Sequence, residues 1–84
     1  MDQGNFHYVY LLTSISNPNR HYTGLTKNLN RRLIKHNAGE VFHTSKYLPW
    51  QIDTAVSFRS KQKAAAFEKY LKSHSGRAFA AKRF

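Results

Sequence analysis

Arg32 and His36 stand four residues apart in HYTGLTKNLNRRLIKHN, the segment from His21 to Asn37. On a helix, residues four apart share one side and can address a single ligand. A guanidinium is a permanently charged planar fork suited to a phosphate, and an imidazole near neutrality can exchange a proton. Glu68 is one of only four acidic residues. It offers carboxylate oxygen to a hard divalent cation, which in phosphate chemistry often needs one or two carboxylates beside substrate oxygens. Tyr8, Tyr10 and Tyr22 add phenols on two strand-like segments that a hairpin would bring together. A set of this kind can do chemistry at phosphorus.

Each of these residues also has an ordinary structural use. Arg32 could snorkel past the edge of a core, His36 could make a satisfied buried hydrogen bond, and Glu68 could pair with Lys72 at i,i+4 for a few tenths of a kcal/mol. Tyrosines sharing a sheet are commonly packing. Their company with one another is what favours chemistry.

The elements that must position them can be read from periodicity. FHYVYLLT, Phe6 to Thr13, is rich in aromatic and β-branched residues and runs into the turn-forming SNPNR, so it reads as a strand entering a hairpin. HYTGL supplies the return strand, where Gly24 marks either the end of pairing or a close backbone approach. Tyr8 and Tyr10 share one face of the first strand. Thr26 or Asn28 can cap a helix running to about Asn37, with Gly39 as its stop. At about 100° per residue, His36 lies only about 20° from Leu29 and Arg32 about 60° from it, so neither polar residue faces outward. Lys27, Arg31 and Lys35 point away.

A polar loop, AGEVFHTSKYLP, leads to WQIDTAVSF, where Ile52, Thr54, Val56 and Phe58 alternate with Gln51, Asp53, Ala55 and Ser57 as in a strand. Ser60 caps KQKAAAFEKYLKSHS, a helix with Phe67 and Leu71 on its buried side and Glu68 bordering it, which Gly76 is expected to end. RAFAAKRF forms one more short helix. The expected fold is α+β, ordered β-β-α-β-α-α, as a single domain over residues 1–84.

Composition narrows the partners. Fourteen Lys and Arg against four Asp and Glu give a net charge of +10, which attracts polyanions and makes nucleic acid the leading partner. The chain is 40% hydrophobic and 14% aromatic, enough to fold rather than remain a polybasic tail. Cysteine is absent, which excludes disulfides and thiolate metal sites. No basic leader, membrane-length apolar run or basic amphipathic helix with bulky anchors is present, so a cytoplasmic protein without membrane association is expected.

YVY at Tyr8 to Tyr10, YTG at Tyr22 to Gly24, the helix NRRLIKHN and the later FEKYLK together resemble the GIY-YIG nuclease family in order and spacing. HTSKYLPW and KAAAFEKYLKSHSGRAF further resemble its small stand-alone bacterial members that act on single-stranded DNA. Tyr8 and Val9 replace the Gly and Ile of the first motif, and Thr23 stands in the middle of the second. The resemblance implies a three-stranded antiparallel sheet flanked by helices and metal-dependent hydrolysis of a phosphodiester. It assigns Tyr10 and Tyr22 as the motif tyrosines, Arg32 to the phosphate, His36 as the second helix residue, and Glu68 as ligand of one Mg²⁺ or Mn²⁺ ion.

For the substrate strand, Lys46, Lys61, Lys63 and Arg77 are expected to follow phosphates, with Ser45 and Tyr8 nearby, and His43, Tyr47 or Trp50 to stack on unpaired bases, Trp50 having an equal claim to be core. DNA, preferably single-stranded, is the expected partner, and no obligatory protein partner follows. The alternative is a non-catalytic nucleic-acid-binding module using the same basic surface.

Overall fold

The computed structural model describes residues 5–84, so the first four residues of the expected domain lie outside the described range. The elements are β1 (His7–Ser14), β2 (His21–Thr26), α1 (Leu29–Asn37), a short 3₁₀ turn (Phe42–Thr44), β3 (Trp50–Phe58), α2 (Lys61–Lys72) and α3 (His74–Arg83). The three strands form one antiparallel sheet in the order β2-β1-β3. This is the α+β arrangement expected from the pattern.

β1 is the central strand, and its alternation feeds two cores. Val9 joins Ala64 and Leu71, with Leu11, Phe58, Phe67 and Phe79 around them, on the face covered by α2 and α3. Tyr10 and Leu12 join Trp50, with Leu29 and Leu33 of α1, on the opposite face. The sheet is therefore sandwiched between helices.

The strict alternation expected for β3 does not hold along its whole length. Leu11 pairs with Thr54 while Leu12 pairs with Ile52, so Asp53 is an extra residue in β3. A bulge of one residue turns everything on one side of it to the other face. Ile52 accordingly packs with Trp50 under α1, whereas Phe58 packs under α2.

Asn28, rather than Thr26, caps α1: its side chain accepts from the Arg31 amide. The helix ends as Gly39 adopts φ +75°. The Gly39 amide then donates to the His36 carbonyl and the Glu40 amide to that of Lys35, a paired closure that satisfies the last carbonyls. Ser60 caps α2 through the Lys63 amide.

The expected end of that helix is corrected. α2 stops at Lys72, and Ser73 ends it while its hydroxyl accepts from the Gly76 amide to start α3. Gly76 lies inside α3, buried, where a Cβ would collide with the Tyr70 carbonyl. Its smallness serves the tight helix–helix crossing and not a helix stop.

Candidate active site

Gly24 determines where the Tyr10 hydroxyl sits. The two residues are directly paired across β1 and β2, and a Cβ on Gly24 would run into the ring and hydroxyl of Tyr10. Of the two readings of this glycine, close approach is the one realised. The missing side chain lets the Tyr10 ring lie over the β2 backbone, and Tyr22 flanks it with ring centroids 6.3 Å apart.

α1 delivers two groups to that hydroxyl. Arg32 Nε donates to the Tyr10 oxygen at 3.2 Å, and His36 Nε2 lies 2.8 Å from the same oxygen. The helical spacing of four is what makes one phenol their common target. Tyr22 closes over the imidazole, its ring centroid 5.0 Å from that of His36. Tyr10 and His36 are almost completely inaccessible, while Arg32 and Tyr22 are half-buried.

Burial decides the charge states here. It pushes the Tyr10 phenol above its usual range, although the adjacent Arg32 opposes the rise. Burial also lowers the imidazole of His36 to about 4, and Arg32 adds to that depression. The Arg32 guanidinium is pushed further up, first by its hydrogen bond to Tyr10. At neutral pH the site therefore holds a phenol, a neutral imidazole and a cation.

On the other side of the imidazole, His36 Nδ1 lies 2.7 Å from the hydroxyl of Thr44. Thr44 is fully buried at the end of the 3₁₀ turn, inside the segment expected to be a polar loop. Sequence reasoning missed it as a site residue, although it sits in HTSKYLPW. A hydroxyl buried in such a segment leaves no periodic trace. Asn37 was missed too: its side chain accepts from the Trp50 amide at 2.6 Å and donates to the Trp50 carbonyl at 2.9 Å, tying the end of α1 to the start of β3.

Glu68 is carried by α2, which packs against both β1 and β2. Its side chain is 23% exposed and pairs with Lys72 at 3.0 Å, so the i,i+4 pair is present. Its charge is nonetheless felt at Tyr10, where it contributes a minor upward push on the phenol. No group of three or more His, Asp or Glu side chains gathers into a metal cage among the described residues. A partly exposed carboxylate can still serve a hard cation that keeps most of its waters and shares substrate oxygens. The donor set fits one such ion at Glu68.

The expected substrate-binding residues divide into groups. His43 and Arg77 border one groove of about 1040 Å³ that also contains Tyr22, Asp53 and, not among the expected residues, Lys72, so this part of the surface adjoins the site. Ser45 and Lys46 are exposed beyond the 3₁₀ turn. Lys61 and Lys63 are exposed at the start of α2, away from the lining of that groove. Tyr8 is half-buried near Phe6, with ring centroids 6.4 Å apart, and does not join the Tyr10 cluster. Tyr47 is half-buried against the α1-side core, with the Arg20 guanidinium 4.8 Å from its ring centroid.

Trp50 requires a correction. It is 3% exposed and donates its indole N–H to the Thr44 carbonyl at 2.7 Å, so its ring is core and offers no face to a base. Its large apolar area and satisfied N–H favour that placement.

The GIY-YIG catalytic domain profile matches residues 6–82. The structure-specific endonuclease subunit SLX1 of Debaryomyces hansenii is 39% identical over 71 residues, covering 76% of this chain and 20% of the relative. Its homolog in Drosophila mojavensis is 43% identical over 75 residues, covering 79% and 25%. The chain thus spans a fifth to a quarter of the length of these two relatives. The solution NMR structure of a UPF0213 protein from Bacillus halodurans superimposes with a TM-score of 0.55 at 29% identity, covering 92% of this chain and 83% of that one.

Proposed function

The chain belongs to the GIY-YIG catalytic domain family, and from that premise we propose that it is a metal-dependent endonuclease cutting DNA phosphodiester bonds, with single strands preferred. The observation that carries the reading is the convergence of Arg32 Nε and His36 Nε2 on one buried phenol oxygen, at 3.2 and 2.8 Å. A packing tyrosine needs one hydrogen-bond partner. This one has a cation and a base.

Arg32 supplies the charge that a phosphoryl group needs as its oxygens become more negative. Its planar fork is half-exposed at the site while Nε is held by Tyr10, leaving the terminal nitrogens for the substrate. A phenol with a raised pKa is not ionised at neutral pH, so Tyr10 can take a proton from an attacking water only by passing on its own. His36 is the neighbour within reach. Its own protonation is held down by burial and then by Arg32, and a phosphate bound at Arg32 would offset the second of these causes. A Mg²⁺ or Mn²⁺ ion, when bound, would neutralise phosphate charge and stabilise the departing 3′ oxygen. Glu68 would hold it.

Support for the strand preference comes from the groove beside Tyr22. Lys72, Arg77 and His43 along one channel can follow a flexible backbone, and an unpaired strand fits a domain this small more readily than a duplex. The names of the SLX1 relatives describe structure-specific endonuclease subunits, so DNAs of different structure are the substrates to compare.

Labelled single-stranded, duplex and branched DNA incubated with Mg²⁺, Mn²⁺ or EDTA tests the reading. Cleavage should require metal and be fastest on the single strand. Glu68→Gln keeps the side-chain volume and removes the charge a hard cation needs, so cleavage should collapse while DNA affinity at fixed salt is kept or rises slightly. Tight binding without cleavage in any metal would return the chain to a non-catalytic binding module.

A further inference from the structure

Whether the Tyr10 proton can move toward His36 depends on which imidazole nitrogen already carries hydrogen, and the hydrogen bonds of Tyr10 and Thr44 taken together favour one answer. The Thr44 hydroxyl lies within reach of two groups, His36 Nδ1 at 2.7 Å and the Val41 carbonyl at 3.3 Å. The single hydroxyl proton can go to Nδ1 or to the Val41 carbonyl, which can only accept, so the choice falls to the other side of the imidazole. When it goes to Val41, the hydroxyl oxygen accepts and His36 donates from Nδ1. Nε2 consequently holds a lone pair directed at the Tyr10 hydroxyl.

The opposite tautomer is less well satisfied. If Nε2 carried the proton, the Tyr10 oxygen would accept from both Arg32 and His36, and the Tyr10 hydroxyl proton would lack an acceptor among its described contacts. Such a loss in a buried site costs about 1–3 kcal/mol. With Nδ1 protonated, each group from Arg32 to Val41 donates once to the next.

Thr44 is also fixed in place. Its amide donates to Val41 within the 3₁₀ turn at 3.1 Å, and its carbonyl accepts from the Trp50 indole at 2.7 Å. Trp50 is in turn clasped by the side chain of Asn37, the residue after His36. The contacts close a circuit through His36, Thr44, Trp50 and Asn37. Nothing else in the site requires a hydroxyl buried at that point in the turn.

We propose that Thr44 is the positioning residue of the site, its hydroxyl holding His36 in the Nδ1–H tautomer so that Nε2 can receive the Tyr10 proton. This rests on the endonuclease reading for its consequence, but the tautomer itself is independent of activity. A residue two elements away from the phosphate thus sets the direction of proton flow.

The test combines ring-nitrogen NMR of histidine-labelled protein with single-turnover cleavage, in wild type, Thr44→Ser and Thr44→Val. Wild type and Thr44→Ser should show Nδ1 protonated and Nε2 bare. Thr44→Val keeps the shape without the acceptor, so the Nε2–H form should appear and cleavage should fall roughly 10- to 100-fold, as when an orienting partner is lost. DNA affinity should not change, and Thr44→Ser should cut within a few-fold of wild type. A folded Thr44→Val protein that keeps Nδ1–H, or cuts as fast as Thr44→Ser, would overturn the assignment. Should Thr44→Val fail to fold, Nε2–H in the wild-type spectrum would overturn it alone and Nδ1–H would uphold it. If the tautomers respond as stated while wild type cuts no DNA, the endonuclease reading fails and the tautomer assignment stands.

Discussion

The two faces of β1 come from alternate residues of one eight-residue strand, yet they do different work. Toward α2 and α3, Val9 meets Ala64 and Leu71 in an apolar core rimmed by Phe58, Phe67 and Phe79. Toward α1, Tyr10 and Leu12 meet Trp50, and His36 and Thr44 are buried beside them with their polar atoms all paired. The first face needs only shape and area. The second also needs every donor to find its acceptor, which makes it specific and vulnerable to a single atom. One central strand can serve both because its side chains alternate between an apolar face and a face that holds the buried Tyr10–His36–Thr44 network.

The comparison is sharpened most strongly by emptying the apolar face. Leu71 is 2% exposed, so Leu71→Ala should cost about 2–5 kcal/mol of stability through lost burial and the cavity left behind. Denaturant unfolding measures the loss, and the molecules still folded should keep the wild-type His36 ring-nitrogen spectrum. A change in that spectrum would show the two faces to be coupled.

The polar face should betray itself through pH. His36 has a folded pKa of about 4, below its unfolded value, so between these values the unfolded chain binds more protons. Stability is full above about pH 6.5 and declines as pH falls toward 4, by roughly 3 kcal/mol over that window. Denaturation midpoints across it should show the decline in wild type and a flatter profile in His36→Gln. Equal slopes would place the titration elsewhere.

Much of this division was legible in the residues. Leu29, Leu33 and His36 on one side of a helical wheel required a buried histidine, and Arg32 followed from the spacing of four. Gly39 announced the end of α1. What escaped detection shares a physical cause: it depends on contacts between segments. The bulge at Asp53 is a matter of register between strands, which alternation within one strand cannot reveal. Gly76 looked like a stop because glycine ends helices, but its place is set by the carbonyl of Tyr70 on another helix. Trp50 looked like a base platform until the Thr44 carbonyl claimed its indole. Thr44 itself had no signal beyond its neighbours.

A smaller change separates charge from shape at the site. Arg32→Lys keeps the cation and loses the planar fork, so single-turnover cleavage should drop by about two orders of magnitude, as for removal of one transition-state donor. Thermal unfolding should move little, since Arg32 is only half-buried. Wild-type cleavage by this variant would show that Arg32 acts as a point charge or not at all.

Tyr10→Phe removes one oxygen atom and leaves the ring on Gly24, the core around Leu12 and the surface for DNA in place. It addresses the central claim most directly, that the hydroxyl shared by Arg32 and His36 handles the proton of the attacking water. Single-turnover cleavage of single-stranded DNA at saturating Mg²⁺ should fall by about 10²–10⁴-fold, the range for general acid–base groups, with DNA affinity at fixed salt unchanged. A folded Tyr10→Phe protein that cuts DNA at the wild-type rate would contradict the account.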